Sequence, residues 1–482
     1  MSNSKDALQA LLTKISGIVT GVVQDSDSSK EGKSEANANY LAWCTPGLPV
    51  QAKDLKFLGK GTSDPELLKQ AADFAQLANI IPEQNVMQRF RAANGSMLWD
   101  VYKKILDESQ VRNKELTESE QKTLDKNRAV LGKEVEVPDE DDDSVMVKKY
   151  MVSAKVKAYE KSKKAYEDAA MEFNKLMVEA ALYNPAEATK EEKAAYMEFQ
   201  RNGATYKKRV QTKLEEWAAE GYKNEVEGAR TYIKQIQEKN ATIIKAEMQA
   251  RMDPATNRLT DAERNIDFYF TGVIPTSFAS EEAEGWTKVT FSNSETKTFS
   301  SVKKVDTDPS LNLGWGFWKV KAGTEVNNKT TVENKDTSDL KISFSITQTP
   351  IMRNWFSPEF ILSQGWKLGP QSTLGTVSDG KGVGPLPAYP TTAIWIKDVK
   401  ITSKAFSDHV SENYLKTNTD VSVGWGPFSI GGKTTTESTE KSKNVTIDGN
   451  TVTIKGYQII AFLCYKLPLT PNPTEKPGDI WV

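Results

Sequence analysis

Leu311-Asn312-Leu313-Gly314-Trp315-Gly316-Phe317-Trp318-Lys319-Val320 and Val421-Ser422-Val423-Gly424-Trp425-Gly426-Pro427-Phe428-Ser429-Ile430 carry one pattern twice, with Gly314 and Gly424 110 residues apart. The flanks repeat with it. Upstream, Trp286-Thr287-Lys288-Val289-Thr290-Phe291 corresponds to Trp395-Ile396-Lys397-Asp398-Val399-Lys400-Ile401 near the same offset. Downstream, Leu340-Lys341-Ile342 corresponds to Val452-Thr453-Ile454. Three matches in one order predict a duplicated unit, with copies over about 286–360 and 395–470.

The Gly-Trp-Gly step has a physical use. Before it the apolar side chains sit at odd positions (Leu311, Leu313, Trp315), and after it at even ones (Trp318, Val320, Ala322). A change of phase by one residue needs a bulge or a tight turn, which glycine permits. Without it one flank would turn its apolar side to water. Gly314, Trp315, Gly316, Gly424, Trp425 and Gly426 are therefore the expected repeat turns.

The surrounding chain reads as β structure. Leu340, Ile342, Phe344 and Ile346 alternate with a period of two, and Ile459 to Cys464 is an unbroken apolar run that suits a strand covered on both faces. Proline density from Gly382 to Pro390 argues against a central strand there and for an extended connector, and the tail from Pro468 reads similarly. Eight of eleven tryptophans lie beyond Thr256-Asn257, mostly in period-two positions that assign them to a core. Residues 268–482 are predicted to form a β domain, an antiparallel sandwich made from the two copies.

Residues 40–267 predict a helical domain. Ser63-Asp64-Pro65-Glu66 is a helix start, with a capping residue before proline at the first helical position. Val152, Val156, Tyr159, Lys163, Tyr166, Ala170, Phe173 and Met177 are spaced 4, 3, 4, 3, 4, 3, 4, a heptad seam. Asn184-Pro185 breaks it, and Tyr206, Val210, Leu214, Trp217, then Val226, Ala229, Ile233 and Ile236, continue at helical spacing. Two long helices around such a break predict an antiparallel, coiled-coil-like hairpin. The fold class is α+β: an all-helical half, then a duplicated β-sandwich.

The chain opens on an amphipathic arm, residues 1–24, in which Leu8, Leu11, Leu12, Ile15, Ile18, Val19 and Val22 are apolar at spacings of mostly 3 and 4. Lys14 interrupts the run and no small-residue cleavage site follows, so a Sec signal peptide is not expected. Residues 25–39 are polar and read as a linker. The arm either folds back on its own core or docks on a neighbouring subunit or a bilayer, and its deletion is expected to alter oligomer size without disturbing the rest.

The inventory of reactive groups is short. The chain of 482 residues has 63 basic and 65 acidic side chains, so no net field attracts nucleic acid. Cys44, Cys464 and His409 are the only cysteines and histidine, too few for a disulfide framework or a cysteine–histidine zinc module. His409 in Ser407-Asp408-His409 is expected at the surface. The acidic run Asp139 to Asp143 lacks the glycine and terminal glutamate of a calcium loop. No phosphate-cradling or nucleophile motif occurs. No catalytic residue, cofactor or metal is expected.

The expected function is that of a non-catalytic structural or assembly protein, a homo-oligomer with a protein or membrane partner and no nucleic acid. It would be cytoplasmic, or released without a Sec leader. The alternative is a pore-forming, toxin-like protein, in which Thr417–Thr439 and Lys319–Asp339 unroll into hairpins; their scarcity of apolar residues speaks against it. A glycan-binding module is the third.

Overall fold

The computed structural model describes residues 4–20, 39–62, 64–82, 86–87, 97–112, 118–138, 146–181, 190–237, 241–280, 283, 285–296, 317–321, 331–333, 336–416, 421–431, 445–474 and 479–482. Helices and antiparallel sheets share the chain. The longer helices are α1 (Ser4–Thr20), α2 (Pro65–Ala78), α3 (Leu98–Glu108), α4 (Glu118–Leu131), α5 (Ala154–Ala181), α6 (Lys190–Ala219), α7 (Lys223–Gln237), α8 (Ala241–Arg251) and α9 (Lys404–Val410).

The strands that matter here are β1 (Asn39–Val50), β2 (Gly132–Pro138), β3 (Met146–Val152), β4 (Arg258–Asp261), β5 (Ile266–Tyr269), β6 (Gly272–Val273), β7 (Thr287–Ser292) and β8 (Phe317–Lys321). They continue as β9 (Thr331–Glu333), β10 (Lys341–Met352), β11 (Ala388–Thr402), β12 (Val421–Trp425), β13 (Phe428–Ile430), β14 (Val445–Asp448) and β15 (Thr451–Lys466).

The main sheet is built on three long strands, β10, β11 and β15, with β1 and β14 on the outer edge of β15 and β6 and β7 on that of β10. The smaller sheet has the order β9-β8-β12-β13. One buried cluster takes side chains from both sheets: Phe344, Ile394, Ile396 and Ile460 from the large one, Phe317, Val423, Trp425 and Phe428 from the small one. The far side of the main sheet is covered by α2, α3 and α8, with Phe74, Tyr102 and Met248 against Trp395 and Phe462 in a second cluster. Of the apolar run Ile459 to Cys464 in β15, all but the half-buried Leu463 are buried, with side chains going into both clusters.

Part of the pairing in the main sheet repeats at 110, the separation of Gly314 and Gly424, which aligns Ile342 with Val452 and not with Ile454. β7 and β10 pair Phe291 with Ile342 and Ser292 with Lys341. β11 and β15 pair Ile401 with Val452 and Thr402 with Thr451, each residue 110 further on. The small sheet is fastened to the large one at its β13 edge. Gln458 Nε2 donates to the Ser429 carbonyl and its Oε1 accepts from Ser429 N–H, both at 3.0 Å, so one side chain replaces a strand neighbour.

Helices α5 and α6 run antiparallel. Tyr159 and Tyr166 lie against Trp217 (ring centroids 5.2 and 5.6 Å), while Phe173, later in α5, meets Phe199, earlier in α6 (6.2 Å). The seam thus serves an intramolecular contact. Its first residue, Val152, ends strand β3 instead of starting the helix. The reverse side of α5 puts Met171 and Val178 into the cluster between the sheets.

Several expectations need correction. Residues 40–267 are not all helical. Tyr40 to Val50 belong to β1, which pairs with β15 in two stretches with the register broken between Trp43 and Leu48. Hairpins β2–β3 and β4–β5 also fall in this range. Pro390 lies in β11 and not in a connector. The strand is bulged there, and the Pro390 carbonyl accepts from Arg353 Nη1 at 2.8 Å; the same guanidinium donates to Ala78 O and Asn79 Oδ1 at the end of α2. The linker except Asn39, the acidic run 139–143, Val22 and the first repeat turn lie outside the described residues, as do most of the stretches proposed to unroll.

Candidate functional site

The two groups of residues singled out from sequence, the amino-terminal apolar set and a Gly-Trp-Gly turn, meet in one place. Ala7, Leu8, Ala10, Leu11, Leu12, Ile15, Ile18 and Val19 of α1 all enter the cluster between the sheets. Gln9, Thr13 and Ser16 are half-buried and Thr20 is exposed, a strip spaced 4, 3, 4 that covers roughly a quarter of the circumference. A helix closed in on the other three quarters is a core helix more than a surface arm.

Two features fix its position. Leu8 lies over the turn between β12 and β13, where Gly426 holds φ +53°; a Cβ on Gly426 would come within 2.4 Å of Leu8 Cδ1. Trp318 Nε1 donates to the Gly426 carbonyl at 3.0 Å, and Trp425 stacks on Phe428, so the turn is rigid from below. Six residues along α1, Lys14 enters the protein. Its ammonium donates to Glu295 Oε2 at 2.6 Å and Thr290 O at 2.9 Å, and lies 3.3 Å from Glu179 Oε1 of α5. Only 3% of the lysine side chain is exposed. Burial raises the Glu295 carboxyl above its ordinary range, against the pull of Lys14. Burial likewise lowers the neighbouring Lys175 ammonium, and Lys14 adds to that.

The groups with potential for chemistry are committed elsewhere. His409 is buried, against the expectation of a surface residue, because α9 turns it inward onto Phe317. Its Nε2 lies 3.1 Å from the Trp318 carbonyl, which only accepts, so Nε2 carries the proton and Nδ1 faces the Asn413 amide. Cys44 and Cys464 are buried free thiols, and burial pushes both well above the usual thiol range. Among the described residues no three histidine, cysteine or acidic side chains gather to hold a metal ion, and no helix is long and apolar enough to cross a membrane.

No protein-family model, characterised protein or solved structure matches the chain.

Lys14, which interrupts the apolar run in sequence, is part of the buried face in the structure. It sits three residues after Leu11 and four before Ile18, on the buried stripe, and a lysine there requires an anionic partner. That partner comes from residues 165 and 281 positions away, so nothing local announces it.

A second ionic contact steadies α5 over the sheet. Lys164 is buried, donates to Thr347 Oγ1 at 3.3 Å and is paired with Asp168. Burial raises Asp168 to about 6, opposed by Lys164. A carboxyl that holds its proton more tightly when folded adds stability at low pH, and that contribution fades as pH rises through about 4 to 6. Asp168→Asn is expected to remove about 2 kcal/mol of this slope. Melting temperatures of both proteins between pH 4.5 and 7.5 check it, and parallel curves would show that Asp168 titrates normally.

Proposed function

We propose that the chain is a non-catalytic protein that acts by self-association or by binding another protein surface. The observation that supports this reading most is the α1 seat: a groove between two sheets that holds a helix by one steric and one charged contact, with no reactive group in it. The single histidine and both cysteines serve the core. We read the shared core of the sheets as a sandwich and the offset of 110 between the Val289–Ser292 and Val399–Thr402 pairings as the trace of a duplication. Light scattering on the purified chain is the test. A mass that is a multiple of 53.6 kDa is expected, and a monomer at every accessible concentration would reject self-association.

The membrane reading keeps one specific support. The apolar arc of α1 is wider than a helix lying on a protein surface needs, and only an equally apolar surrounding could accept it. Dye release from liposomes at micromolar protein tests this, and intact vesicles at neutral and acid pH would count against it.

A further inference from the structure

We propose that the groove that seats α1 also accepts the α1 of a second copy, so that two chains associate by exchanging this helix. The inference rests on the self-association reading and gives it a mechanism. The groove is formed by residues remote from α1 in sequence: Leu41 and Trp43 of β1, Met171 and Val178 of α5, Phe344 of β10, and the Trp425–Phe428 turn. Its two determinants of fit, Gly426 beneath Leu8 and the Glu179–Glu295 pair around Lys14, act on the helix as an object. Neither depends on which chain the helix belongs to. A second copy supplies a helix with the leucine and the lysine at the same separation. No other occupant is guaranteed both.

Connection length permits the exchange. Eighteen residues separate Thr20 from Asn39, and their composition is polar, with two glycines and a single apolar pair, Val22-Val23, near the start. Fully extended they span at most about 60 Å, enough to reach a neighbouring body. A connection of that length also gives the chain's own helix an effective concentration of about a millimolar. Exchange is therefore expected during folding or in concentrated protein, and the two-fold arrangement closes on itself as a dimer.

Charge reversal separates exchange from other forms of association. One chain carries Lys14→Glu; a second carries Glu295→Lys with Glu179→Gln. Each mismatches its own helix, while the pair restores both contacts only by exchange. Co-refolded, differently tagged chains are expected to form a 1:1 dimer that populates at about tenfold lower concentration than either variant's self-dimer. Absence of that preference overturns the proposal. A second variant, Leu8→Cys with Gly426→Cys, guards against misfolding of the first pair. Exchange predicts disulfide-linked dimers on a non-reducing gel of concentrated protein, whereas bonds found only within single chains at every concentration overturn it. If the wild-type chain is oligomeric and neither test succeeds, self-association stands and exchange falls. A wild-type monomer removes both.

Discussion

A chain that starts at residue 25 is expected to lose the cooperative melting transition of its β core. The far-UV spectrum should keep much of its helical signal, since α5 and α6 pack through their own aromatic seam, while near-UV ellipticity collapses and a hydrophobic dye binds. The size of the effect follows from burial. α1 contributes six large apolar side chains to the cluster, all at most 9% exposed. At about 1.5–3 kcal/mol each, an upper bound, they supply of the order of 10 kcal/mol. That equals the whole stability of a typical domain, about 5–15 kcal/mol. The point substitution Leu11→Ala isolates the same term at about 2–5 kcal/mol, and Gln9→Ala on the half-exposed strip is expected to change stability by less than about 0.5 kcal/mol. A truncated chain that melts as sharply as the full one would mean that α1 is an accessory arm after all.

Of the alternatives that the sequence leaves open for the arm, the structure has the one in which it folds back on its own core. Spacing marks an amphipathic helix within residues 1–24, but not the full width of its buried face, to which Ala7, Ala10, Gly17 and the paired Lys14 also belong. Alanine and glycine reveal burial only once the neighbours are in place. The β half was more legible, because period-two alternation in β10 and the unbroken apolar run of β15 are local signals. β1 is hidden for the opposite reason: two prolines in twelve residues argue against a strand, yet it pairs with β15 on either side of a register break between Trp43 and Leu48. For His409 a local signal exists: Phe406, three residues earlier, and Val410 mark the inward side of α9. What sequence resolved was periodicity; what it could not resolve was which distant group meets each exception to the period.

Gly424→Ala is expected to be the most damaging single methyl in the chain's second Gly-Trp-Gly turn. The two glycines there are needed for different reasons. Gly426 needs its positive φ, and what a Cβ there would strike first is the far end of the Leu8 side chain, which can swing. Gly424 takes an ordinary backbone conformation, but its Cβ would lie 2.1 Å from the Phe428 carbonyl oxygen and 2.4 Å from Cζ2 of Trp318. Neither neighbour can yield: the carbonyl belongs to the hairpin partner β13, and the indole is fully buried and tied to Gly426. Relief requires opening the β12–β13 hairpin or expelling the indole, at about 3 kcal/mol or more. Gly426→Ala is expected to cost about 1–2 kcal/mol for the left-handed conformation. Gly228→Ala, within α7 with nothing in reach of the new methyl, should stabilise by about 0.5–1 kcal/mol. Denaturant midpoints of the three variants give the order directly. The double variant Gly424→Ala with Trp318→Leu then separates the two collisions. Removing the indole frees one neighbour and leaves the carbonyl, so the pair should be non-additive in the rescuing direction yet remain below the stability of Trp318→Leu alone. Strict additivity would show that the ring is not what confines this glycine.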